Sequence, residues 1–161
     1  MVEYFKNNTS PVGRDNYIEK KVKSVFQSFL PNVDFYPSVT YHIIEDGMEK
    51  KTELDILGVS DKATYIIEVK AHELSHKDRV GLNGTKDKFK SSVAEACCQS
   101  LRAATYINNS DVPVFRFGGN PVNVDKSKPI YKIAITFQHY SSLLGNMDKL
   151  VEAGLMEESY R

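Results

Sequence analysis

Asp55, Glu68 and Lys70 are the residues of this sequence best equipped for chemistry. They lie in the stretch 53–70, ELDILGVSDKATYIIEVK, two apolar runs separated by Ser60-Asp61-Lys62. Acids set into an apolar run are costly unless they are paired or employed. If the runs are strands, side chains alternate, so Glu53 and Asp55 share a face, as do Glu68 and Lys70. A hairpin through Ser60-Asp61-Lys62 brings Asp55 near Glu68 and leaves Lys70 beside them. Two converging carboxylates make a hard oxygen site suited to Mg2+ or Mn2+. An adjacent ammonium can hold a water or steady a developing oxyanion.

The rest of the chain must position these groups. Residues 1–13 read as a loose arm, with turn chemistry at Asn7-Asn8-Thr9-Ser10-Pro11. Asp15 or Asn16 can cap a helix running to about Leu30, with Ile18, Val22, Val25 and Phe29 at helical spacing. Glu19 sits beside that stripe, and by itself reads as a surface partner of Lys23. Pro31-Asn32 ends the helix. Phe35 to Ile44 is rich in aromatic and β-branched residues and predicts a strand, in which Pro37 implies an edge or an irregular start. Glu45-Asp46-Gly47 then turns the chain into the strand that holds Asp55.

After Lys70 comes a polar stretch, 72–90, with Gly81, Gly84, Lys86, Lys88 and Lys90. It reads either as a solvated loop or, as expected here, as a basic loop that grips phosphates. Ser91 or Ser92 starts a second long helix to about Ile107. Its apolar stripe is Val93, Cys97, Leu101 and Ala104, and a separate polar stripe holds Glu95, Gln99, Arg102 and Tyr106. Val112 to Phe117 predicts a short strand, followed by a turn at Gly118-Gly119-Asn120-Pro121. Tyr131 to Phe137 is continuously apolar and predicts a central strand. Ser141 to about Ala153 predicts a closing helix capped by Gly154.

Asp55 followed by Glu68-Val69-Lys70 resembles the PD-(D/E)XK nuclease superfamily, in which an acid on one strand precedes Glu-x-Lys on the next. The Glu-x-Lys match is complete, and Leu54 stands where many members have proline. The sharp part of the resemblance is residues 53–70; beyond them it is one of element order. It implies an α/β restriction-endonuclease-like core, helix, three strands, helix, strand, helix, with a mixed sheet flanked by helices. It also implies Mg2+- or Mn2+-dependent hydrolysis of phosphodiesters, most naturally in DNA. Asp55, Glu68 and the Val69 carbonyl would hold the metal, and Lys70 would orient the attacking water. Glu19 occupies the place of a first-helix glutamate that reaches the metal in members of the superfamily. Gln99 followed by Tyr106 resembles the RecB-like and nuclease-related branches, at a longer spacing than theirs. Lys86, Lys88, Lys90 and Arg102 would hold the nucleic-acid backbone.

Composition sets bounds on these readings. A chain of 161 residues suggests one domain, here 14–161, which could itself belong to a longer protein or pair with a second copy. The 21 basic and 21 acidic residues balance, which argues against non-specific coating of nucleic acid but not against local basic patches. No apolar run approaches a membrane span, and the polar start MVEYFKNNTS lacks an export signal core, so a cytoplasmic protein is expected. Cys97 and Cys98 are adjacent and read as reduced thiols. Two rival functions remain. One is a non-catalytic module of the same fold that binds nucleic acid or a partner. The other is a zinc protease built on His72-Glu73-Leu74-Ser75-His76, with Glu95 as a candidate third ligand; Gly81 limits any helix there.

Overall fold

The computed structural model describes residues 11–71, 89–136 and 147–152. Helix α1 (Pro11–Phe29) leads into a long hairpin, β1 (Asp34–Glu45) and β2 (Met48–Val59), then into β3 (Thr64–Lys70). A π-helical turn (Lys90–Ala94) runs directly into α2 (Glu95–Asn109). A second hairpin, β4 (Val114–Phe117) and β5 (Asn120–Asn123), precedes β6 (Ile130–Thr136) and the short helix α3 (Met147–Glu152). The chain is thus α/β, and its described residues form six strands ordered β5-β4-β1-β2-β3-β6. All neighbours are antiparallel except β3 and β6, which run parallel.

The two long helices cover opposite faces of the sheet. On β3, Ile66 belongs to the core under α2, with Ala103, Ala104 and Ile107. Ile67 and Val69 belong to the core under α1, where Ile18, Val22 and Phe26 pack. That split is the two-residue alternation of a strand buried on both sides. The connection from β2 to β3 is held by one side chain. Ser60 Oγ accepts the Ala63 N–H at 3.0 Å and the Lys62 N–H at 3.3 Å. Among the described residues no helix is long and apolar enough to cross a membrane.

Several expectations are corrected by the structure. Helix α1 starts at Pro11 rather than at an Asp15 or Asn16 cap, in keeping with proline's preference for the first helical turn. The second helix is already helical at Phe89, so Ser91 and Ser92 lie inside its π-helical turn instead of capping it. Its buried positions are Ala96, Ser100, Ala103, Ala104 and Ile107, while Cys97 and Leu101 are only half-buried. Asn120-Pro121 belongs to β5, not to a turn; glycines 118 and 119 make the turn alone, with φ of 54° and 87°. Pro121 is tolerated because, among the described residues, β5 ends the sheet. β6 is not central: among the described residues it is the last strand, paired only with β3. Its apolar run packs by Ile133 and Ile135 on the α1 side and Ile130 on the α2 side, while Tyr131 is 52% exposed. Pro37, in contrast, lies in an interior strand, and the irregularity it implied follows at Ser38.

Gly58 shows how tightly the α1 face is packed. A Cβ there would sit 2.6 Å from Phe35 Cε1 and 3.1 Å from Tyr65 Cβ. The Phe35 ring is itself held between Phe26 and Tyr65, at centroid distances of 5.9 and 6.3 Å. Gly58→Ala should therefore destabilise the chain by about 1–3 kcal/mol through overpacking. Urea titration measures this, and an unchanged midpoint would mean that the Phe35 ring has room to retreat.

Candidate active site

Asp55 lies where both ladders of β2 open. Between β1 and β2 the register pairs Pro37 with Ile56 and Val39 with Leu54, and the intervening Ser38 and Asp55 are not paired. Ser38 has a φ of 47°, in the left-handed region that few residues with a Cβ adopt. The pleat resets at this point. Phe35 packs under α1, whereas Val39 and Tyr41, of the same parity, pack under α2. On β2, Leu54 packs under α2 but Ile56 packs under α1. Counted from Leu54, Asp55 belongs to one face; counted from Ile56, it belongs to the other.

On its other side β2 pairs with β3 from Val59↔Thr64 to Ile56↔Ile67, and there the ladder stops. The Asp55 carboxylate fills the fork that follows: its Oδ2 accepts the Val69 backbone N–H at 2.7 Å. A charge-assisted bond of that length pins the side chain firmly. Glu68, 2% exposed, lies close enough to Asp55 for the two carboxyls to act on each other. Burial, then the Asp55 carboxylate, push its pKa up to about 9, against the pull of Lys70. Glu19 reaches the same acids from α1, and burial followed by Asp55, Glu53 and Asp15 raises it to about 7. Asp55, Glu68, Lys70 and Glu19, singled out in the sequence, therefore converge where β2 and β3 part.

Lys70 has a partner the sequence did not reveal. Its Nζ lies 3.4 Å from Glu95 Oε1, the first residue of α2. Gln99 stands one turn further along α2, and its Oε1 is buried without a hydrogen-bond partner, an acceptor that calls for an explanation. Val69 is nearly buried, with its N–H committed to Asp55. Arg102 is not among the groups that act on Glu19 or Glu68; its charge acts on the Tyr41 hydroxyl and on Glu45, and it lines a cleft of about 580 Å³ between the end of β1 and α2. Lys90 is exposed in the π-helical turn. Lys86, Lys88, His72, Glu73 and His76 lie outside the described residues.

Among the described residues no three His, Cys, Asp or Glu side chains form a ready metal-binding group. The donor set still fits a hard divalent cation. Mg2+ is commonly held by one or two carboxylates, with water and substrate oxygens completing its shell. Asp55 and Glu68 are two adjoining carboxyls, and the buried one holds a proton at neutral pH in place of a second negative charge. A cation supplies what that proton supplies, so binding one should release the other. No protein-family model, curated protein or solved structure matches the chain.

Proposed function

We propose that this chain is a metal-dependent nuclease of the PD-(D/E)XK type, with a restriction-endonuclease-like core, that hydrolyses phosphodiester bonds in DNA. The observation that carries the reading is the Asp55 carboxylate in the β2–β3 fork, accepting the Val69 N–H at 2.7 Å beside the buried carboxyl of Glu68. An ordinary sheet would close this fork with ladder bonds and keep carboxyls out of it.

Asp55 and Glu68 would hold Mg2+ or Mn2+, helped by the Val69 carbonyl and, through water, by Glu19. Such a cation polarises a phosphoryl oxygen and makes water nucleophilic near neutral pH. Lys70 orients the attacking water and offsets charge that builds on the phosphoryl oxygens. Glu19, raised to about 7, has the proton affinity of a group that can both take and return a proton at neutral pH. Lys90 and Arg102, and with them Lys86 and Lys88 of the same basic stretch of sequence, would supply cations to the nucleic-acid backbone.

The direct test is incubation with supercoiled, linear and single-stranded DNA, with Mn2+ and with chelator. Cleavage should require the metal, stop with chelator and vanish in Asp55→Asn. Binding with no cleavage of any of the three DNA forms in the presence of Mn2+ would replace the enzyme by a binding module.

A further inference from the structure

Resting on the nuclease reading, we propose that Glu95 is a positioning residue: its carboxylate fixes the Lys70 ammonium beside Glu68 before substrate arrives. Lys70 ends β3, and its head rides on a four-carbon stem with large rotamer freedom. A donor that stabilises a transition state must already be in place when charge develops. The stem is confined, since the Lys70 side chain is 13% exposed. The head is met by Glu95 Oε1 at 3.4 Å.

The pair is poorly explained as a folding device. The Glu95 side chain is 49% exposed, and ion pairs that reach solvent add little to stability. Its backbone setting points instead to a site. Lys90–Ala94 is a π-helical turn, and the Glu95 N–H bonds to the Lys90 carbonyl five residues back. Such turns are rare and concentrate at functional sites. This one ends on the residue that reaches Lys70. Gln99, one turn on, adds an acceptor that is buried without a partner. An ammonium donates and never accepts, so acceptors on α2 are the groups that can order it.

The experiment is single-turnover DNA cleavage with Mn2+ by the wild type, Glu95→Ala, Glu95→Asp, Lys70→Ala and the Lys70→Ala/Glu95→Ala pair. DNA affinity, unfolding midpoint and the NMR order of the Lys70 Nζ group are measured beside it. Glu95→Ala should slow cleavage by about tenfold or more, the scale of a misplaced catalytic group. Its DNA affinity and unfolding midpoint should hold, and Lys70 Nζ should lose order. Glu95→Asp should recover part of the rate. The double variant should cleave no more slowly than Lys70→Ala, because Glu95 acts only through Lys70. Full-rate cleavage by Glu95→Ala, or a double variant slowed by the product of the single effects, overturns the proposal while leaving the nuclease reading intact. A wild type that never cleaves removes the nuclease reading, and this inference with it.

Discussion

Lys70→Ala should keep Mg2+ and DNA binding and lose about a hundredfold or more in the rate of cleavage. Removing one preorganised donor from a transition state typically costs on the order of 3 kcal/mol. On the proposed reading, ground-state binding would rest on other groups: Asp55 and Glu68 for the cation, and the lysines and Arg102 for the backbone. Metal affinity should hold or rise, because a positive charge beside the cation is gone. The fold should be almost indifferent, since the ion-pair partner Glu95 is half-exposed. Asp55→Asn makes the contrast. It removes the carboxylate from the fork and should lose metal binding and cleavage together. Calorimetric metal titration beside single-turnover cleavage reads both variants. Wild-type rates in Lys70→Ala would sink the mechanism even with the architecture unchanged.

The convergence of these residues was only partly legible in the sequence. The pairing of β2 with β3 follows from two apolar runs and a Ser60 turn, and the structure places Asp55 against Glu68 as that pairing requires. The reason they meet was not visible. Alternation counted from Leu54 puts Asp55 on the α1 face, while Glu68, two residues from Ile66, belongs to the α2 face. They touch because β2 resets its pleat at Asp55 and parts from β3 beyond Ile56. A reset is a backbone event opposite Ser38, and serine does not announce a positive φ. Glu95 was hidden for a related reason. Helical periodicity assigns it to a polar stripe, and nothing in Lys90-Ser91-Ser92-Val93-Ala94 marks a π-helical turn. An apolar run states how much of a strand is covered, not how many strands flank it, so Tyr131 to Phe137 suggests a central strand although β6 is the last one among the described residues.

Without metal, the chain should lose stability as pH rises from 5 to 8, the reverse of what paired surface carboxylates produce. Glu68 holds its proton to about pH 9 in the fold, against an ordinary value of 4.5. A group raised on folding contributes its full stability below its unfolded pKa and loses it as pH climbs to the folded one. Each pH unit in that window removes about 1.4 kcal/mol, so three units remove roughly 4 kcal/mol. Glu19, raised to about 7, adds to the same slope below neutrality. Glu45 and Asp125, both lowered, by Lys50 and by Ser127, pull the other way only in acid, and both side chains reach solvent. On the proposed reading a divalent cation would take over the role of the Glu68 proton. Mg2+ should therefore raise stability strongly at pH 8 and hardly at pH 5, where it competes with that proton. Urea unfolding across this range, with Mg2+ and with chelator, gives both curves. Glu68→Gln separates this account from any general effect of pH. The amide keeps the shape and can still donate to Asp55, but it never ionises. The metal-free variant should outlast the wild type at pH 8, show a flatter pH dependence and gain nothing from Mg2+. Wild-type stability that rises with pH in the presence of chelator would mean that Glu68 is ionised in the fold, and that no cation is needed to hold the two carboxyls together.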